Sequence, residues 1–150
     1  MMAAPNKLFY AMEAVLYIAY NTSSGAISSR DIASRQGLPP RYLEGLMQKL
    51  VHAGILRGIR GPKGGYVLAK ERRRISLADI SAVLQEDTSD KEAASYAATP
   101  LGKNIVLPIW KKAHAAWFGA LENVNLAELC EQAGSKQIKK HSETKLDFTI

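Results

Sequence analysis

The chain has 150 residues, enough for one compact domain with an appendage but short for two independent domains. A hydrophobic fraction of 47% beside 23% charged residues excludes a disordered chain, and the longest apolar run, Leu8 to Tyr20, is broken by Glu13 and too short for a membrane span or a signal peptide. The single cysteine, Cys130, excludes an internal disulfide and makes the cytoplasm the expected location, while the formal charge of +6 favours an acidic partner.

From Lys7 to Tyr20 the apolar side chains Leu8, Met12, Val15, Leu16 and Ala19 recur on one helical face, and the polar run Asn21 to Gly25 ends it. Ser28 followed by Asp31 caps a second, short helix over Ser29 to Gln36, with Ile32 and Ala33 buried and Gly37 as its stop. Pro39 and Pro40 suit the first turn of a third helix, where a missing amide proton costs nothing. Leu43, Leu46, Met47 and Leu50 form its apolar stripe, and Gly54 ends it. Its opposite face carries Arg41, Glu44, Gln48, Lys49 and His52, and Gly45 leaves a gap where another surface can approach.

Ile55 to Ile59 and Gly65 to Ala69 read as short strands joined by a turn of Gly61, Pro62, Lys63 and Gly64, a hairpin with a basic tip. The cations Arg57, Arg60, Lys63, Lys70, Arg72, Arg73 and Arg74 against Glu71 give this segment the net charge of the whole chain. Ser76 with Asp79 caps a fourth helix containing Leu77, Ile80 and Leu84. Gln85 to Pro100 is polar and reads as a linker.

Beyond it, Ile109, Ala113, Ala116, Trp117, Ala120 and Val124 share a face of a long helix that Pro108 either opens or kinks. Asn125 and Glu128 cap a final short helix ending near Gly134, and a polar tail follows. The expected organisation is a winged helix-turn-helix over 1–84, a linker over 85–100, dimerisation helices over 101–134 and a mobile tail over 135–150. The fold class is mostly α with a small two-stranded β wing. A lone long helix cannot bury both Trp110 and Trp117, so a second copy of the chain is the expected partner, with a ligand cage at the two tryptophans as the alternative.

A short helix, a glycine turn, a second helix entered through prolines and a basic hairpin follow one another in the order of a winged helix-turn-helix. The third helix fits the major groove of double-stranded DNA, about 12 Å wide, with Arg41 and Glu44 in the half that reaches base edges. Arg60 can enter a narrow minor groove, Lys63 can meet phosphate, and the glycines bring backbone amides close to the DNA. The candidate DNA-contacting residues are Arg41, Tyr42, Glu44, Gln48, Arg60, Lys63 and Gly64.

Three of these stretches, Tyr42-Leu43-Glu44, Ala53-Gly54-Ile55-Leu56 and Arg60-Gly61-Pro62-Lys63-Gly64-Gly65-Tyr66, resemble the Rrf2 family of bacterial regulators, the group of IscR, NsrR and CymR. Leu77-Ala78-Asp79-Ile80 and Asn125-Leu126-Ala127-Glu128-Leu129 resemble it too. The resemblance implies a homodimer whose long helices cross and hold two winged heads on a partly palindromic operator. It implies that Glu44 reads a base and that Arg60 lies in the minor groove, and Arg41 stands where relatives commonly have a small polar residue. Many members hold an iron–sulfur cluster through three cysteines between the fourth helix and the long one. This chain has none between Gln85 and Trp117, Cys130 lies outside that stretch, and His52, His114 and His141 are scattered. No cofactor is expected, which places the chain in a branch without the cluster-binding cysteines.

Other readings of these residues stand beside that one. Glu44 can instead pair with Lys49 or steady the helix N-terminus, Arg72 to Arg74 can be a solvated run or touch flanking phosphate, and Cys130 is a small buried side chain or a redox switch. A pocket between linker and long helix offers room for a small-molecule effector that the sequence does not identify. No nucleophile with a base, phosphate loop or metal spacing is present, so no enzymatic activity is expected. The expected function is a sequence-specific transcriptional regulator, a repressor acting as a homodimer. The alternative is a winged-helix module that binds protein without specific DNA recognition.

Overall fold

The structure, a computed structural model, describes residues 6–85 and 98–141. Most of the linker expected over 85–100, and the tail beyond His141, lie outside them. Helix α1 (Asn6–Tyr20) buries Leu8, Ala11, Ala14, Val15, Ile18 and Ala19. The centre of this face is rotated from the one expected: Met12 and Leu16 lie at its margin, and Ala11, Ala14 and Ala19 are fully buried. Helix α2 (Ser29–Gln36) begins where the Ser28 hydroxyl accepts the amide of Asp31 at 3.2 Å and ends at left-handed Gly37. Helix α3 (Pro40–His52) buries Leu43, Leu46, Met47 and Leu50 against α1, α2 and α4 (Leu77–Gln85).

Strands β1 (Leu56–Ile59) and β2 (Gly65–Leu68) pair antiparallel, with Leu56 opposite Leu68 and Ile59 opposite Gly65. A third short segment joins the pair. Ile27, just before α2, exchanges two backbone hydrogen bonds with Tyr66, at 3.1 and 2.8 Å. One core includes Ile18, Ile27, Ile32, Leu43, Met47, Leu50, Leu56 and Ile80.

After Pro100 the chain passes through a wide, π-type turn at Gly102–Val106 into helix α5 (Leu107–Glu122). Within a regular helix the Pro108 ring would collide with the carbonyl four residues earlier and remove an amide donor. The wide turn ahead of it makes room, and the Leu107 amide reaches back to the Gly102 carbonyl. Pro108 therefore widens the helix as the α5 segment begins.

Helix α6 (Leu126–Ser135) lies on α1 and buries Leu126, Cys130 and Ala133 there. Its start is sewn to the start of α4: the Leu126 amide donates to Ile75 at 2.9 Å, and the Leu77 amide donates to Val124 at 3.0 Å. Both helices are capped locally, Ser76 and Asp79 by reciprocal bonds and Asn125 by accepting the Glu128 amide. The final helix, grouped by its sequence position with the dimerisation segment, thus packs on the winged head.

The beginning of the expected mobile tail is also tied down. Asn21 is fully buried at the end of α1, and its Nδ2 donates to the Tyr17 carbonyl at 2.8 Å. Its remaining oxygen needs a donor, and the backbone amide of His141 supplies one at 2.6 Å. The Tyr20 hydroxyl donates to the Ile138 carbonyl at 2.6 Å, and the His141 ring, only 5% exposed, packs edge-on to Tyr17. The polar composition of the tail gave no hint of this, because the anchor is a buried amide elsewhere in the chain. Replacing Asn21 with Ala orphans the His141 amide and is expected to destabilise the protein by about 1–3 kcal/mol, measured by urea denaturation.

Candidate nucleic-acid interface

The polar face of α3 lies open. Arg41, Glu44, Gly45 and Gln48 are exposed along it, and Tyr42, at 43% exposure, stands beside them. Pro39, with φ −59° and ψ 131°, brings the chain in extended, and Pro40 takes the first helical position. The first turn of α3 therefore starts abruptly after Gly37, with Arg41 and Tyr42 at its outer end.

The wing tip is closed by backbone geometry. The Gly64 amide donates to the Gly61 carbonyl at 2.9 Å. A Cβ on Gly64 would lie 2.3 Å from the Ile59 carbonyl oxygen and 2.8 Å from that of Gly61, so only glycine closes this loop. Gly64, expected among the DNA contacts, thus has a structural duty that stands without DNA. Arg60 and Lys63 project from the tip, both exposed.

Wing and helix share the core, and one side-chain hydrogen bond also joins them. Gln48 Nε2 donates to the Tyr66 hydroxyl at 3.1 Å, and Tyr66 is 8% exposed. Burial pushes the Tyr66 hydroxyl above its ordinary pKa, the bond from Gln48 opposes that, and the nearby charge of Glu44 adds to the rise. Tyr66 therefore remains a neutral phenol, with its own proton still to donate. The Gln48 amide gives one of its two protons to the wing and so helps hold the angle between α3 and the hairpin. No local sequence signal marks Tyr66 for this role, because its partner lies on another element. Gly65 beside it is equally constrained, because a Cβ there would lie 2.4 Å from the backbone of Ile27 at φ 153°.

The long helix divides its apolar residues between two sides. His114, Trp117, Phe118 and Leu121 are half-buried, Trp117 packs against the core, and α5 lies on α4. Leu101, Ile105, Ile109, Ala113, Ala116 and Ala120 recur every three or four residues and are all exposed, Leu101 at 73% and Ile109 at 66%. Trp117 and Val124, expected on the same face as Ile109 and Ala113, belong to the inner side. The reason is the return of the chain through Val124 to α4, which turns that side of α5 onto its own head.

Donors for a metal centre are not brought together. Among the described residues no three of His, Cys, Asp and Glu form a group that could hold a metal ion. Burial pushes the Cys130 thiol pKa up, against the opposing charge and hydrogen bond of Arg72 and the charge of Lys140. A lone cysteine does not fit a cluster that needs several thiolates. His114 stacks edge-on to Trp117 at 5.9 Å, and His141 lies against Tyr17 and Arg35.

A helix pair opened by Gly37, a polar second helix and a glycine-closed basic wing define a winged helix-turn-helix DNA-binding regulator. Residues 5–132 match the Rrf2 family, described as an iron-dependent transcriptional regulator, and the chain belongs to that family. It is 34% identical over 91% of its length to an HTH-type transcriptional regulator of Synechocystis, covering 92% of that protein. It is 31% identical to the regulator IscR of Cronobacter sakazakii over 80% of this chain and 75% of that one. Among solved structures, IscR of T. potens superposes with a TM-score of 0.74 at 28% identity, covering 95% of this chain and 96% of that one. CymR of B. subtilis, titled the global cysteine regulator, superposes at 0.67 with 28% identity over 88% and 98%.

The bond between Gln48 and Tyr66 can be tested directly. Tyr66→Phe is expected to lose about 1 kcal/mol of stability, and Gln48→Ala in that background is expected to add little. Equal and additive losses in a double-mutant cycle would show that the two side chains act separately.

Proposed function

We propose that the chain works as a homodimeric repressor of transcription on a partly palindromic operator, in the bacterial cytoplasm. What supports the DNA interface is the junction at Tyr66, which sets the exposed polar face of α3 at a fixed angle to the basic wing. Arg41, Tyr42 and Glu44 enter the major groove, and Arg60 enters the adjoining minor groove, where a narrow A·T-rich step concentrates negative potential. Lys63 and the backbone amides around Gly64 meet phosphate. Gln48 holds the wing more than it reads a base.

The dimer follows from the outer stripe of the long helix. From Leu101 to Ala120 it runs roughly 28 Å at helical rise, with large apolar side chains at one end and alanines at the other. Alanines let two backbones approach closely, and leucine and isoleucine fill the space beyond, so two copies cross along this stripe. Trp117, already packed in its own subunit, supports the seam from behind. A dimer held on a promoter occludes it, which is the basis for repression.

We infer a regulator without an iron–sulfur cluster, since the chain has one cysteine and a cluster is held by several thiolates. Its relatives are transcriptional regulators. No helix among the described residues is long and apolar enough to cross a membrane.

Two variants separate reading from holding. Glu44→Ala is expected to relax preference at one base position per half-site, a loss of about 1–3 kcal/mol of discrimination, in competition binding with single-base operator variants. Lys63→Ala is expected to weaken all sequences alike and to lower the salt dependence of binding by about one unit of slope. An unchanged base preference in Glu44→Ala would remove that residue from the readout. For the seam, Ile109→Glu is expected to convert the dimer to monomer in sedimentation equilibrium with the fold intact by circular dichroism.

A further inference from the structure

We propose that a cavity behind the wing binds a small organic anion, an apolar body bearing a phosphate or carboxylate, and that this anion is the effector of the regulator. The cavity has a volume of about 760 Å³, within the range of small-molecule sites. Its cations are Arg57 on β1 and Lys70 and Arg72 on the turn after β2. Arg73 and Glu71, which also border it, form an exposed ion pair with each other at 2.9 Å. Its apolar lining comes from Ile18 of α1, Val67 and Leu68 of β2 and Ala127 of α6.

This arrangement selects a ligand chemistry. Three cationic residues lining one concavity, with the one carboxylate among its described lining residues already paired, attract an anion and leave a cation unmatched. The apolar lining adds affinity for a ligand with a hydrophobic body, which a bare inorganic ion lacks. None of the lining residues belongs to α3 or to the wing tip from Arg60 to Gly64. The cavity is therefore distinct from the surface assigned to DNA, and its apolar lining offers nothing to a phosphate backbone.

Its position supplies the coupling. β1 and β2 contribute one side, so an occupant touches the hairpin that carries Arg60 and Lys63. The turn bearing Lys70 and Arg72 runs into Ile75, whose carbonyl accepts the Leu126 amide, and Ala127 lies next to that anchor. The charge of Arg72 also acts on the Cys130 thiol of α6. An anion drawing Arg57 and Arg72 together therefore links the wing to the element through which the long helix returns to the head. The regulatory consequence rests on the wing being a DNA contact, whereas binding of the anion does not.

The test uses the full chain without DNA and phenyl phosphate as the probe, titrated by calorimetry at constant ionic strength. The expected result is saturable binding of one probe per chain, with inorganic phosphate and phenol each at least about tenfold weaker. In the Arg57→Gln/Lys70→Gln double variant, affinity for phenyl phosphate is expected to fall by about tenfold or more, with the thermal midpoint of the free protein unchanged. Both residues are exposed, so the fold survives their replacement. Absence of saturable binding, equal binding of inorganic phosphate, or undiminished binding by the double variant would each overturn the site. A double variant that loses non-specific duplex DNA binding while neither protein binds phenyl phosphate would also overturn it, in favour of a DNA backbone contact. Operator affinity measured with and without saturating probe then tests the effector role: a change in wild type that the double variant lacks supports it, and no change refutes it.

Discussion

The exchange of two backbone hydrogen bonds between Ile27 and Tyr66 holds three parts of the molecule in one frame. Ile27 precedes the cap of α2, Tyr66 begins the inner strand of the wing, and the Tyr66 hydroxyl reaches Gln48 on α3. A side chain at Gly65 would collide with the Ile27 backbone, so the approach depends on glycine at that position. The packing of α3 against β1 supports the same angle between helix and hairpin. Reading two grooves at once requires that angle to be fixed before binding, since ordering it at the interface would cost affinity.

The second constraint lies at the other end of the head. Ile75 and Leu77 on one strand-like turn exchange backbone bonds with Val124 and Leu126, and α6 then lies against α1. Helix α5 is thereby anchored at its C-terminal end, with Trp117 packed inward and the row from Leu101 to Ala120 facing out. A rigid arm with an apolar outer stripe suits a symmetric seam, because each subunit offers the same surface to the other.

Local features were legible in the sequence because their causes are local. Ser28, Gly37, Pro40, Ser76 and Asn125 cap or open helices by chemistry contained within four residues, and the structure places those boundaries where that chemistry puts them. The glycine-rich wing and the basic segment were equally plain. What escaped the sequence depends on residues far apart in the chain. Gln48 reads in the sequence as a DNA contact, because the partner it holds in the structure lies beyond a turn and a strand. The polar tail looked mobile until Asn21, buried at the far end of the chain, required a donor. Trp117 shares a periodicity with Ile109, but the return of the chain at Val124 decides which side meets the head.

The most direct measurement is selection of binding sites from random duplex DNA by the purified full chain at near-physiological salt, with Arg60→Ala carried in parallel. The account predicts that wild type recovers a dyad-symmetric site with A·T-rich positions flanking each half-site, and that Arg60→Ala loses the A·T preference while keeping the inner bases. Sequence-blind recovery by both proteins, or no recovery by either, would contradict a wing and recognition helix that read DNA together.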